Sequence, residues 1–283
     1  MNPAIDTRLV RRLVDGQFPH WADLRLRPVE RSGSDHVIHR LGDDLAVRLP
    51  RHDGAIGQSE KEYEWLPRLA PGLPLAVPVP VAVGRPGEGY PWPWAVARWL
   101  PGEVATVAAF GESAAAAAAL AGFLRALQAL PVDGAPAGRA PLEARNDVTR
   151  ARIAEVAGVF DAAALTRVWD EALSAPGWDR PPVWFHGDFH TGNLLSAGGR
   201  ISAVIDFGGL GAGDPARDMT MAFTLLGAGP RRVFRAALGV DDATWARGRG
   251  WALATGLNAY TSYAAIDDRV AAQTSRQITQ AVL

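Results

Sequence analysis

The sequence predicts an α+β protein in two lobes, a small antiparallel sheet with one accompanying helix and then a mostly helical region that carries a single hairpin. Three observations predict it. Three segments of strand character, Leu24 to Val29, His36 to Leu41 and Leu45 to Leu49, fall before residue 50, and the Gly42-Asp43-Asp44 turn joins the last two. From Ser113 onward, apolar residues recur at helical spacing in one segment after another. Between Val183 and Ile205 that pattern is broken by a short apolar run, a loop and a hairpin. The division falls near residue 100, giving parts 1–100 and 101–283.

Each element has its own signal. Ile5, Leu9, Val10, Leu13 and Val14 repeat at helical spacing, so the chain opens with an amphipathic helix. After the three strands, Gln58 to Leu69 reads as a helix with Trp65, Leu66 and Leu69 as its apolar face and Glu60, Glu62 and Glu64 as charges. Pro71 to Pro80 is an extended connector into a strand over Val79–Val83. Trp94 to Leu100 is the next strand, and Trp92, Trp94 and Trp99 read as packing residues rather than a stacking platform. Ser113 is placed to cap a helix through Leu130. Further helices are expected over Glu143–Phe160, Ala162–Leu173, Ala216–Leu226, Pro230–Leu238, Asp242–Ile266 and Asp268–Leu283.

The chemistry concentrates in Trp184–Asp218. The run Val183-Trp184-Phe185 ends at His186-Gly187-Asp188, and Asn193 follows five residues later. Leu194 and Leu195 begin a strand, Ser196 to Arg200 has turn composition, and Ile201 to Ile205 returns into Asp206. A hairpin of this kind is expected to bring Asn193 and Asp206 close, with Asp188 on the loop that enters it. An amide oxygen and a carboxylate suit Mg²⁺, which takes one or two carboxylates and leaves its other positions to substrate phosphates. Asp188 is then left to accept a hydrogen bond from an attacking hydroxyl. Asp214-Pro215 reads as a helix start, with Asp as cap and Pro in the first turn.

The ordered set His186-Gly187-Asp188, Asn193, the hairpin, Ile205-Asp206-Phe207 and Gly213-Asp214-Pro215 with Asp218 resembles the aminoglycoside phosphotransferase family of protein-kinase-like small-molecule kinases. The resemblance implies a bilobal kinase-like fold and transfer of the γ-phosphoryl of ATP or GTP to a hydroxyl of a small molecule. It implies Asp188 as the catalytic base, with Asn193 and Asp206 on Mg²⁺. It places Arg48 on the third strand, where kinases carry a Lys that reaches the phosphates, and pairs it with Glu62, Glu60 being the second candidate. It places Ser32, Gly33 and Ser34 over the phosphates and the adenine edge on backbone groups near Arg98 to Leu100. His186 and Asp218 then support the catalytic loop, His186 by hydrogen-bonding backbone near Asp206, and Asp214 serves the scaffold; His190 faces substrate or solvent. Arg for Lys keeps the charge but not the size, so retained nucleotide binding is expected, with catalytic vigour open. The family's acceptors include aminoglycosides, macrolides, other antibiotics, choline and amino sugars. Cationic acceptors need an acidic site, and Asp241, Asp242, Asp267 and Asp268 are the candidates, although capping explains them better.

Composition narrows the alternatives. The 283 residues carry 29 basic and 30 acidic side chains, a formal charge of −1, which points to no nucleic-acid or membrane partner. Zero cysteines exclude disulfides, thiolate metal sites and a thiol nucleophile. No apolar stretch approaches the ~18 residues of a membrane span, and a soluble, cytoplasmic protein is expected. Two rivals stand beside the kinase reading. A nucleotide-binding pseudokinase is motivated by Arg48, and a metal-dependent phosphohydrolase would leave the N-terminal sheet unexplained.

Overall fold

The computed structural model describes residues 4–30, 33–138 and 140–283. The chain divides into two compact units, Met1–Gly102 with Ala203–Gly208, and Glu103–Ser202 with Gly209–Leu283.

The first unit starts with helix α1 (Thr7–Gln17), whose Leu9 amide is capped by the Asp6 carboxylate at 2.7 Å. Strands β1 (Leu26–Pro28), β2 (His36–Leu41) and β3 (Leu45–Pro50) follow, then helix α2 (Gln58–Leu69) and strands β4 (Pro80–Gly84) and β5 (Trp94–Arg98). They form one sheet in the order β1-β2-β3-β5-β4, antiparallel throughout. Side chains alternate along a strand, so each strand has two faces. Leu41, Leu45, Val47, Leu49, Trp94 and Val96 share one face with the apolar side of α1. The other face carries Ala46, Arg48, Ala95 and Ala97, and α2 packs there, against β4 and β5. With both faces covered, all six residues of β3 are buried. The three tryptophans do pack: Trp94 is fully buried edge-on to Phe18, Trp92 meets Tyr90 edge-on, and Trp99 lies under the Arg40 guanidinium.

Residues Ala203–Gly208 join this unit through a parallel bridge from Ala203 to Ala76, with the Val204 amide donating to the Ala76 carbonyl at 2.9 Å. This contact carries Asp206 into the first unit.

The second unit contains strand β6 (Glu103–Val104), helices α3 (Val107–Phe110), α4 (Ala114–Gln128), α5 (Asn146–Glu155) and α6 (Ala162–Ser174), and strands β7 (Val183–Phe185), β8 (Leu194–Ala197), β9 (Arg200–Val204, whose last two residues belong to the first unit) and β10 (Gly211–Gly213). Helices α7 (Thr220–Thr224), α8 (Ala228–Leu238), α9 (Asp242–Tyr263) and α10 (Asp268–Val282) complete it. β9 and β6 flank β8, and β10 pairs antiparallel with β7. α9 runs through the middle, against α5, α6, α7 and α10. Among the described residues, no helix is long and apolar enough to cross a membrane.

Two expected helices are shorter than their sequence patterns. Glu143–Phe160 resolves into a 3-10 turn, Leu142–Arg145, and α5; Ala216–Leu226 resolves into a 3-10 helix, Pro215–Met219, and α7. The second break has a reason in packing, because the tighter winding lies where the carboxyl of Asp218 turns inward to backbone amides. Strands β6 and β10 were not expected, being two and three residues long and defined only by their partners.

Gly248 allows α9 its central position. A Cβ there would lie 2.3 Å from Met219 Cβ and 2.8 Å from the Ala216 carbonyl oxygen. A helix-interior Gly→Ala change ordinarily stabilises by about 1 kcal/mol. Overpacking against a backbone atom costs about 1–3 kcal/mol, and here it wins. Gly248→Ala is therefore expected to lower the thermal midpoint, read by calorimetry, and a raised midpoint would refute the packing argument.

Candidate active site

In the second unit the chain turns sharply after β7. Gly187 has φ +81°, and a Cβ on it would fall 2.2 Å from the Gly209 carbonyl oxygen, so only glycine fits without displacement. Asp218, fully buried, holds this turn: one carboxyl oxygen accepts the His186 amide at 2.7 Å and the other the Gly187 amide at 2.8 Å. Burial pushes Asp218 up to about 7, against the lowering effect of the Gly187 and His186 amides and of Arg217. Phe189 anchors the loop's far side, buried and stacked on Phe123.

Asp188 projects from the loop with its side chain half exposed. Its own amide donates to His186 Nδ1 at 3.2 Å. Asn193 Nδ2 donates to the Asp188 carbonyl at 2.9 Å and to its Oδ2 at 3.2 Å. His190 Nε2 lies 3.5 Å from the same Oδ2. Because His190 Nδ1 accepts the Gly192 amide, Nε2 carries the imidazole proton and points it at Asp188. Burial works against ionisation of Asp188, yet the hydrogen bond from His190, with His186 and Arg217 nearby, holds its carboxyl well below the usual carboxylate range. Oδ1 has no hydrogen-bond partner among the described residues and remains open to accept one. Asn193 is itself buried, with its Nδ2 spent on Asp188 and its Oδ1 left as an acceptor.

Asp214 caps the Pro215–Met219 helix by accepting the Ala216 amide at 2.9 Å, and the buried Arg247 grips it at 2.8 and 3.1 Å. Three of the four acidic candidates for an acceptor site are engaged elsewhere, and Asp268 is exposed in the first turn of α10. Asp241 caps α9 and pairs with Arg180, Asp242 pairs with Arg235, and Asp267 caps α10.

In the first unit, Arg48 and Glu62 form a buried ion pair, with Arg48 Nη2 3.9 Å from Asp206 Oδ1. Burial lowers Arg48, but the charges of Glu62 and Asp206 outweigh it and keep the guanidinium cationic. Burial also raises the Glu62 carboxyl, partly offset by Arg48. Glu60 is exposed. Asp206 has φ +65°, a left-handed conformation that Asp tolerates better than most residues, and its side chain is 40% exposed. In the loop before β2, Ser34 Oγ donates to Asp35 at 3.0 Å, and Gly33 has open space where a side chain would be. Ser32 lies outside the described residues. Near the end of β5 the amides of Arg98 and Trp99 are bonded to the carbonyls of Val79 and Asp44 at 2.9 and 2.8 Å, so Leu100 is the next amide along.

Sequence reading missed three residues here. His36 is buried with Nε2 unpartnered, and burial and the charge of Arg48 push it down to about 3. Gln58 Nε2 donates to Asp35 at 2.9 Å, and Lys61 Nζ donates to the Gly208 carbonyl at 2.6 Å. Gln58, Lys61 and Glu62 fall at i, i+3 and i+4, one face of α2, a spacing visible in the sequence.

The donors fit Mg²⁺. Among the described residues no group of three or more His, Cys, Asp or Glu side chains could hold a metal. The Asp206 carboxylate in the first unit and the Asn193 amide oxygen in the second are each hard oxygen donors of the kind Mg²⁺ takes.

An antiparallel sheet with a buried Arg–Glu pair, and a helical unit with a braced Asp loop, define a kinase-like phosphotransferase fold. The family model described as a phosphotransferase enzyme family, APH, matches residues 25–251, and the chain belongs to that family. Solved structures repeat the fold. The GDP complex of wild-type aminoglycoside 2'-phosphotransferase-IIIa is 19% identical, with a TM-score of 0.76, over 98% of this chain and 99% of that one. The GDP and kanamycin complex of APH(2")-IIia is 20% identical, with a TM-score of 0.76, over 96% of this chain and 97% of that one. Macrolide 2'-phosphotransferase MphH from Brachybacterium faecium is 23% identical, with a TM-score of 0.63, over 94% of this chain and 96% of that one. No curated protein matches the sequence.

The raised carboxyl of Asp218 has a consequence for stability. A carboxyl raised in the folded state contributes stability that is complete below the unfolded value of about 4 and is lost as pH rises through about 7. Between those limits the unfolding free energy of the wild type should fall relative to that of Asp218→Asn. Denaturant titrations across the window check this, and a constant difference would count against it.

Proposed function

We propose that this protein transfers the γ-phosphoryl group of ATP or GTP to a hydroxyl of a small, antibiotic-like molecule. The first unit holds the nucleotide, and the second carries the catalytic loop and the acceptor. The observation that carries this reading is Asp188, a half-exposed carboxyl kept ionised on a loop whose backbone is pinned by a buried Asp218. Such a group orients an alcohol and takes its proton as the oxygen attacks phosphorus and the nucleoside diphosphate leaves. The transition state is loose, so the protein's contribution is positioning and charge neutralisation, and a strongly basic carboxylate is not required.

Asn193 keeps Asp188 in place through Nδ2 and offers Oδ1 to Mg²⁺; Asp206 offers its carboxylate. When bound, Mg²⁺ neutralises charge on the phosphate oxygens. Arg48, held by Glu62, contacts the phosphates, and the loop of Ser32, Gly33 and Ser34 covers them. Backbone groups at Arg98 to Leu100 receive the base. His186 and Asp218 support the loop, and Asp214 holds the scaffold next to it.

The acceptor reading follows from charge. With Asp241, Asp242 and Asp267 committed to caps and ion pairs, and the fourth, Asp268, exposed in the first turn of α10, we favour a weakly charged acceptor, nearer to a macrolide than to a polycationic aminoglycoside. A mass-spectrometric screen for phosphorylated products across macrolides, aminoglycosides and simple hydroxylated amines tests this. The pseudokinase reading rests on Arg48 in place of Lys. Nucleotide-dependent stabilisation with no product across that panel would favour it.

On a confirmed acceptor, Asp188→Asn should lower kcat roughly a thousandfold while nucleotide affinity stays near wild type. Asp206→Asn should weaken nucleotide binding only when Mg²⁺ is present, as calorimetry would read. Wild-type turnover by Asp188→Asn would remove the assigned base.

A further inference from the structure

Lys61 is the single lysine of the sequence. It sits half-buried on α2, between two residues that already belong to the nucleotide side of the first unit. Gln58, three residues earlier, bonds Asp35 at the end of the loop before β2, and Glu62, one residue later, holds Arg48. Lys61 Nζ donates at 2.6 Å to the carbonyl of Gly208, two residues beyond Asp206. That short segment is under constraint. Asp206 is held at φ +65°, and a Cβ on Gly208 would lie 2.3 Å from Gln58 Oε1, so its backbone lies directly against α2.

From these contacts we infer that Lys61 is a positioning residue for the metal-binding loop. Its ammonium fixes the Gly208 carbonyl and thereby holds Asp206 in the left-handed conformation that presents its carboxylate to Mg²⁺. One face of α2 thus ties together the phosphate loop through Gln58, the phosphate-contacting cation through Glu62 and the metal carboxylate through Lys61. A hydrogen bond from a charged donor is stronger than one between neutral groups. Left-handed backbone at a non-glycine residue persists only where its surroundings enforce it, and Lys61 is the charged group that bonds the backbone here, while Arg48 faces the Asp206 carboxylate. The inference rests on the assignment of Asp206 to the metal.

The test compares wild type, Lys61→Met, Lys61→Arg and Asp206→Asn by calorimetric titration of nucleotide over a range of Mg²⁺ concentrations. Lys61→Met is expected to need about tenfold more Mg²⁺ to reach a given nucleotide affinity, with metal-free affinity unchanged. Lys61→Arg, which keeps a charged donor, should recover most of the difference. A merely structural role would lower affinity equally with and without Mg²⁺, and that result overturns the inference. If Asp206→Asn shifts the Mg²⁺ dependence and Lys61→Met does not, Lys61 alone is misassigned. If neither shifts it, the metal assignment falls and takes this inference with it. Should Lys61→Met fail to fold, the wild type still decides. Acetylation of its one ε-amine, followed by peptide mass spectrometry, should be slower with Mg²⁺ and nucleotide together than with nucleotide alone. Equal rates would overturn the proposal.

Discussion

The second unit depends on one buried carboxyl group. Asp218 is removed from water, and burying a polar group unpaired would be costly. Two consecutive backbone amides, from His186 and Gly187, satisfy it and are satisfied by it. Those amides cannot both point inward unless the chain turns through the left-handed region at Gly187, with its backbone against Gly209. That turn ends β7, aims Asp188 outward and sets the spacing at which Asn193 reaches back to the Asp188 carbonyl. Conformation, burial and the exposure of the Asp188 carboxyl therefore follow from a single interaction.

The first unit is organised by a second buried charge. The Arg48–Glu62 pair lies between sheet and helix, where desolvation offsets much of the Coulombic attraction. Its contribution is chiefly to fix where α2 sits on the sheet. The small residues Ala46, Ala95 and Ala97 on the same sheet face make room for it, and the opposite face is filled by the apolar contacts of α1. With α2 fixed, Gln58 and Lys61 meet Asp35 and Gly208 by helical geometry alone.

Sequence pattern reached the elements whose own residues specify them. β2 and α2 begin and end where periodicity places them, and Ser113 caps α4 through the Ala116 amide at 3.1 Å. Strands β6 and β10 carry no such signal, since two or three residues become strand only by pairing with β8 and β7. Patterns expected as long helices over Glu143–Phe160 and Ala216–Leu226 are wound partly as 3-10, because local helical preference yields to the contacts their side chains must make. His190 shows the same limit in the loop: its direction was open in sequence and is set by the Gly192 amide, which fixes the imidazole's acceptor nitrogen.

The sequence by itself determined the type, order and spacing of the residues to which we assign the chemistry, because residue type and spacing encode donor atoms: Asp188, Asn193 and Asp206, with Arg48 and Glu62 ahead of them. It also determined the alternation of sheet and helix that places them. Only the tertiary structure decided how each is held. That Asp188 is ionised and leaves Oδ1 open, that Asp206 stands in a left-handed turn, and that Lys61 reaches Gly208 all depend on groups far apart in the chain. Electrostatic environment and backbone strain are properties of neighbours in space, and sequence spacing does not record them.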